Sequence, residues 1–200
     1  MSALLKLSGL IDRINLLVGK LTMWLVLGAV LISAGNAIVR KVFNMSSNAL
    51  LEIQWYLFAA VFMLGVGYTL LHNAHVRIDF ISSRLSKRTN AIIDVLGIIA
   101  FIIPLSLILI NLSWPLFYKA YVSGEMSQNA GGLVRWPVYL LMPVGFSILL
   151  VQSVSELIKR VAFLAGHRSE PFTFNEEKSE EQKLAEELAR EAEQVQLKAK

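Results

Sequence analysis

Apolar residues run along this chain in long stretches broken by short polar ones, and the clearest stretch is 53–71, nineteen residues without a charge between Glu52 and His72. At 1.5 Å per residue such a run covers about 28 Å, close to the roughly 30 Å of a bilayer's hydrocarbon core. Three more uncharged runs follow the same logic: 21–39 with nineteen residues, 95–118 with twenty-four and 136–155 with twenty. The pattern predicts an all-α integral membrane protein with transmembrane helices at about 21–39, 51–72, 92–118 and 136–156. Ahead of the first span, Leu4, Leu7, Ile11, Ile14, Val18 and Leu21 alternate at spacings of three and four, which predicts an amphipathic N-terminal helix lying on, or entering from, the cytoplasmic surface. The first uncharged run exceeds a signal-peptide core and closes on Arg40 and Lys41, so it reads as an uncleaved span. After span two, Val76, Ile78, Ile81 and Leu85 face one way and Arg77, Arg84 and Arg88 mainly the other, the pattern of a short interfacial helix.

Polar positions near the spans refine the picture. Ala29, Ser33 and Ala37 form a small-residue stripe that lets another helix come close. The turn 43–48 is short enough to make spans one and two an antiparallel hairpin, which brings Arg40 near the level of Glu52. Pairing with Arg40, pairing with a residue of another subunit and direct reach to headgroup water are all open to the Glu52 carboxylate. Pro104 predicts a kink in span three, and Asn111 calls for a partner inside a bundle. The loop 119–135 is polar and contains glycine. Trp136 and Pro137 then open span four, the one suited to the headgroup belt and the other to a first helical turn, while Trp55 and Tyr56 suit the same belt on span two.

Composition sharpens this reading. The chain is 55% hydrophobic and 17% charged, and 14 of its 34 charged residues lie from Ser169 onward, so residues 1–168 read as the membrane domain and 169–200 as a charged tail, helical or disordered. Counting Lys and Arg by compartment gives ten on the side of the N-terminus against four on the other, which predicts that both termini are cytoplasmic. The net charge of +4 comes from bases that cap apolar runs, so it argues for membrane anchoring and against nucleic acid. With no cysteine there is no thiolate nucleophile and no Cys-based metal or iron–sulfur site.

Chemistry is sparse. Glu52, Asp94 and Glu156 all lie near span ends, and no triad order, phosphate loop or His-Glu-x-x-His occurs. His72 and His75 are three apart, but a bis-His haem wants ligands on facing helices, and His167 lies past the last span, so an interfacial role fits the histidines better than a cofactor site. Asn36, Asn111 and Gln152 are scattered, as interhelical hydrogen-bonding groups are, rather than clustered as a carrier's cargo site would be. The residues themselves describe an accessory or scaffold subunit of a membrane complex. A haem-binding or other electron-transfer anchor and a small independent carrier are the competing classes.

Several motifs resemble one family. Asn36-x-x-x-Arg40, Glu52 with Trp55-Tyr56, Leu64-Gly65 with Tyr68, and above all His75-Val76-Arg77-Ile78-Asp79 after span two resemble the small four-span permease subunit of tripartite ATP-independent periplasmic (TRAP) transporters, over about residues 5–165. The segment Ser127 to Pro137, with Pro143-x-Gly145 after it, looks like the mannitol/chloroaromatic-type branch. The resemblance implies a bacterial inner-membrane, sodium-coupled transporter of organic acids, built with a large membrane subunit, a periplasmic substrate-binding protein and this chain as scaffold in the lipid bilayer. It implies no cofactor in this chain, sodium being held by the large subunit. Asn36, Arg40, Glu52, Trp55, Tyr56, His75, Arg77, Asp79, Arg135 and Trp136 are then the candidate subunit-interface or membrane-anchoring residues, and the 124–135 loop is a contact for the binding protein or a plain connection.

Overall fold

The computed structural model describes residues 1–44, 47–73 and 85–171. Four helices in it are long and apolar enough to cross a membrane. They are α1 (Ser2–Phe43), α2 (Asn48–Leu71), α3 (Lys87–Ser123) and α4 (Trp136–Leu164). Helix α4 packs against each of the other three, α1 also runs along α2, and α3 rests chiefly on α4. The expected interfacial helix, the His75–Asp79 motif and most of the tail lie outside the described residues.

The amphipathic N-terminal segment is the first half of α1, a continuous helix of 42 residues, about 63 Å long. One polar face runs opposite to the expected surface helix, while Lys6, Arg13 and Lys20 stay exposed as expected. Ser8, Asp12 and Asn15 are buried, while Leu4, Leu10, Ile14 and Leu17 are exposed. A helix on the membrane surface would turn its polar side to water; here that side finds its hydrogen-bond partners on α4, and the apolar side is left for lipid or a neighbouring subunit. The same inversion is strongest in α4, whose buried residues include Gln152, Ser153, Ser155, Glu156, Lys159 and Arg160, whereas α2 buries Leu70 and Leu71 beside Glu52. Most fully buried side chains are polar, and large apolar side chains cover the outside.

Close helix approach depends on three glycines. A Cβ at Gly19 would overlap the Tyr68 ring, one at Gly67 would overlap Asn15 Oδ1 and Ile148, and one at Gly145 would lie 2.8 Å from the Met63 carbonyl oxygen. The predicted small-residue stripe contributes less to this chain's own packing, since Ala29 is half-buried and Ser33 and Ala37 are exposed.

Helix α3 starts on a Ser86 cap, whose Oγ accepts from the Thr89 N–H at 3.1 Å, and stops at Gly124, whose φ of 61° is the left-handed conformation that ends helices. Pro104 lacks an N–H and would crowd the carbonyl four residues back, and the chain accommodates it with a π-helical turn over Ile98–Ile102. The turn leaves a trace in the buried seam of α3: Ala91, Ile98, Ser106, Ser113 and Ala120 are seven apart except across the turn, where the step is eight. Asn111 lies outside that seam and is exposed, so any partner for it belongs to lipid headgroups, water or another subunit.

Exposed charge is absent from α3 between Arg88 and Lys119, and from α4 over its whole length. Thirty residues make an uncharged exterior of about 45 Å, half again the roughly 30 Å hydrocarbon core, a length that permits tilt.

Candidate functional site

Two polar assemblies hold the bundle, one at each end. The first joins α1, α3 and α4. Asn15 on α1 donates from Nδ2 to Gln152 Oε1 at 2.7 Å, and Gln152 donates from Nε2 to Asp12 Oδ1 at 3.1 Å and to Glu156 Oε1 at 3.0 Å. Ser155 donates to Asp12 Oδ1 at 2.8 Å, and its Oγ lies 2.7 Å from that of Ser8. Lys159 Nζ donates to Asp12 Oδ2 at 3.0 Å and also to Glu156. Arg160 donates to Glu156 and, from Nε, to Asp94 Oδ2 on α3 at 3.0 Å. Five ionisable side chains from three helices thus form one connected set, and Lys159 and Arg160 are each only 2% exposed.

The local sequence makes this possible. Ser8, Asp12 and Asn15 stand at i, i+4 and i+7, one face of α1, and Gln152, Ser155, Glu156 and Lys159 stand on the matching face of α4. Sequence reading named Gln152 but missed the set, because it treated the polar residues of 4–21 as water-facing. Complementary polar stripes at helical spacing on two apolar helices were the available signal.

The second assembly closes the opposite end. Glu52, 3% exposed, accepts from Ser127 Oγ, from Asn129 Nδ2 at 2.8 Å and from the Leu133 N–H at 2.7 Å. Its partners therefore sit in the α3–α4 loop, and Arg40, exposed at the end of α1, is not among them. The contact expected from the hairpin is taken by the α3–α4 loop, which folds back over the start of α2. Asn48 Nδ2 ties down the Ala130 carbonyl at 2.9 Å and Tyr56 donates to the Val134 carbonyl at 3.1 Å. Within the loop Ser127 N–H donates to Leu133 O at 2.8 Å and Arg135 N–H to Glu125 O at 2.9 Å, around a bridge between Met126 and Val134. Arg135 Nη1 reaches Glu125 Oε1 at 3.0 Å, and that hydrogen bond raises the already high pKa of the guanidinium. Gly132 fits beneath because a Cβ there would lie 2.6 Å from Ser127 Cβ.

The remaining sequence candidates scatter. Trp136 packs edge-on against Tyr121 with ring centroids 5.6 Å apart, and Trp55 is exposed. Asn36 is buried in the α1 seam with its Oδ1 unpartnered among the described residues. His72 closes α2, with Nδ1 3.1 Å from the Tyr68 carbonyl and its ring on Tyr68. His75, Arg77 and Asp79 lie outside the described residues. Among the described residues no group of three or more His, Asp or Glu is placed to hold a metal ion. Where α1 and α3 straddle α4, a cleft of about 380 Å³ is lined mainly by Ile14, Ile110, Trp114, Val144 and Ile148, with Asn15 and Ser147 as its polar members.

Fold and site together define a class: a multi-pass helical membrane protein whose buried polarity is spent on joining its own helices. A sequence profile for the DctQ component of tripartite ATP-independent periplasmic transporters matches residues 29–163, and the chain belongs to that family. It is a transporter component and not an enzyme. The match takes in α4 with Gln152, Glu156, Lys159 and Arg160, but begins after the half of α1 that supplies Ser8, Asp12 and Asn15. Comparison with curated proteins gives no match, and neither does comparison with solved structures.

Proposed function

We propose that this chain is the stationary scaffold of a sodium-coupled transporter of organic acids in the bacterial inner membrane, with both termini in the cytoplasm. A large membrane subunit holds sodium and cargo and moves as an elevator, and a periplasmic protein delivers the substrate. No cofactor is assigned to this chain. The mannitol/chloroaromatic-type branch is part of the same proposal and rests on the motif 127–137. One observation carries the scaffold reading: the buried charges Asp12 of α1, Asp94 of α3 and Glu156, Lys159 and Arg160 of α4 are joined to one another, which fixes three helices against sliding and leaves a largely apolar exterior for lipid and a companion subunit. A carrier acting alone would present polar groups to a mid-depth cavity. The straddled cleft of α4 is mostly apolar, and the two charges lining the cavity between α2, α3 and α4, Asp94 and Arg160, are paired with each other.

Uptake of a labelled organic acid into proteoliposomes tests this. Sodium-driven uptake is expected only with the large subunit and binding protein present. Flux through this chain alone would overturn the proposal, and a haem absorption band in the purified chain would favour an electron-transfer anchor.

A further inference from the structure

Helices α2 and α3 both pack on α4 but scarcely on each other. The gap between them is a trough of about 430 Å³ floored by α4. Its residues follow one order on all three helices. Asn73, Asp94 and Arg160 line one end, where Asp94 meets Arg160 at 3.0 Å, and Val66, Leu105 and Leu149 line the other, where Gly67 beside Val66 approaches Ile148 beside Leu149. Asp94 and Leu105 on α3 are eleven residues apart, as are Leu149 and Arg160 on α4. Each interval is about 16 Å of helix, close to half of the roughly 30 Å hydrocarbon core. The trough is therefore one leaflet deep, polar at the headgroup level and apolar towards the bilayer centre.

Space of this shape selects its occupant. Walls of valine, isoleucine and leucine keep water out. A helix about 10 Å across would fill 430 Å³ in roughly one turn, whereas an unbranched hydrocarbon chain is thin enough to run the whole length. At the polar end Asp94 and Arg160 answer each other, which suits the uncharged ester of a phospholipid better than the carboxylate of a free fatty acid. Room for the chain comes partly from Gly97 on the α3 wall, where a Cβ would meet nothing within 4 Å. We propose that the trough is a lipid site: one acyl chain of a phospholipid in the leaflet at the Lys159 end lies between α2 and α3 and completes the packing that α3 otherwise finds chiefly on α4. Such a site is independent of the cargo the transporter carries.

The test places the full chain in phosphatidylcholine vesicles doped with a phosphatidylcholine that carries a diazirine halfway along one acyl chain, and photolabelled residues are read by peptide mass spectrometry. Leu149, half-buried at the floor, should be labelled. In Gly97→Leu and in Val66→Phe, which fill the trough from opposite walls, that labelling should fall roughly tenfold, a penalty within the range of overpacking. Labelling of the exposed Leu31 on α1 should persist in both. Gly35→Leu, equally open but on α1, should leave Leu149 labelling unchanged. Added phospholipid should also raise the unfolding midpoint of the unaltered chain in detergent, and raise that of Gly97→Leu less. An unlabelled Leu149, or labelling that both filled variants retain in full, would overturn the proposal. Labelling by a diazirine fatty acid as strong as that by the phospholipid would overturn the assignment to a phospholipid.

Discussion

The two ends of the bundle bury carboxylates by different means. At the Glu52 end one carboxylate is held by neutral donors, two side chains and a backbone N–H, all from a loop about eighty residues further along the chain. At the Lys159 end carboxylates from α1, α3 and α4 are met by Lys159 and Arg160 of α4. A carboxylate satisfied by dipoles shapes the loop that supplies them, whereas ion pairs reaching across helices set where the helices stand. The first arrangement presents a surface and the second fixes a frame.

Substitutions that separate these roles should rank accordingly. Lys159→Ala removes the ammonium that Asp12 and Glu156 share, and removing one partner of a buried pair typically costs about 3–5 kcal/mol. Thermal unfolding in detergent should show the largest loss of any single substitution considered, and a double-mutant cycle with Asp12→Ala should show strong coupling. A cycle with no coupling would dissolve the contrast between frame and surface. Gly67→Ala forces a methyl onto Asn15 and Ile148, an overpacking worth about 1–3 kcal/mol in the same assay. Glu52→Gln should alter the unfolding midpoint less than either while making the chain more easily cut by trypsin after Arg135. A cycle of Glu52→Gln with Ser127→Ala should show coupling, and one with Arg40→Gln should show none. Lys87→Ala, which removes a surface pair to Glu170 in which the lysine is 70% exposed, should change stability by less than about 1 kcal/mol.

The helices were legible in the sequence because lipid imposes a length: each uncharged run had to be long enough to cross, and the runs 21–39 and 95–118 fall inside α1 and α3. What lay between helices was harder to read. Asp12 and Asn15 on an amphipathic pattern suggest a water-facing side only if the surroundings are assumed aqueous, and in lipid the same pattern turns inward. Glu52 has Arg40 twelve positions away, and nothing in that spacing announces that 127–133 would return to cover it. Pro104 did signal an irregularity in span three, but a π-helical turn is a property of the packed seam as much as of the proline.

That turn makes α3 mechanically unlike α1. The first part of α3 is fastened to Arg160 through Asp94, and the part after the turn follows α4 through Ser106, Ser113 and Ala120. Between them the backbone bonds already reach five residues instead of four, so a twist of one part about the axis meets least resistance at Ile98–Ile102. Helix α1 has no such joint along its 42 residues, so its two ends are linked by an unbroken backbone ladder.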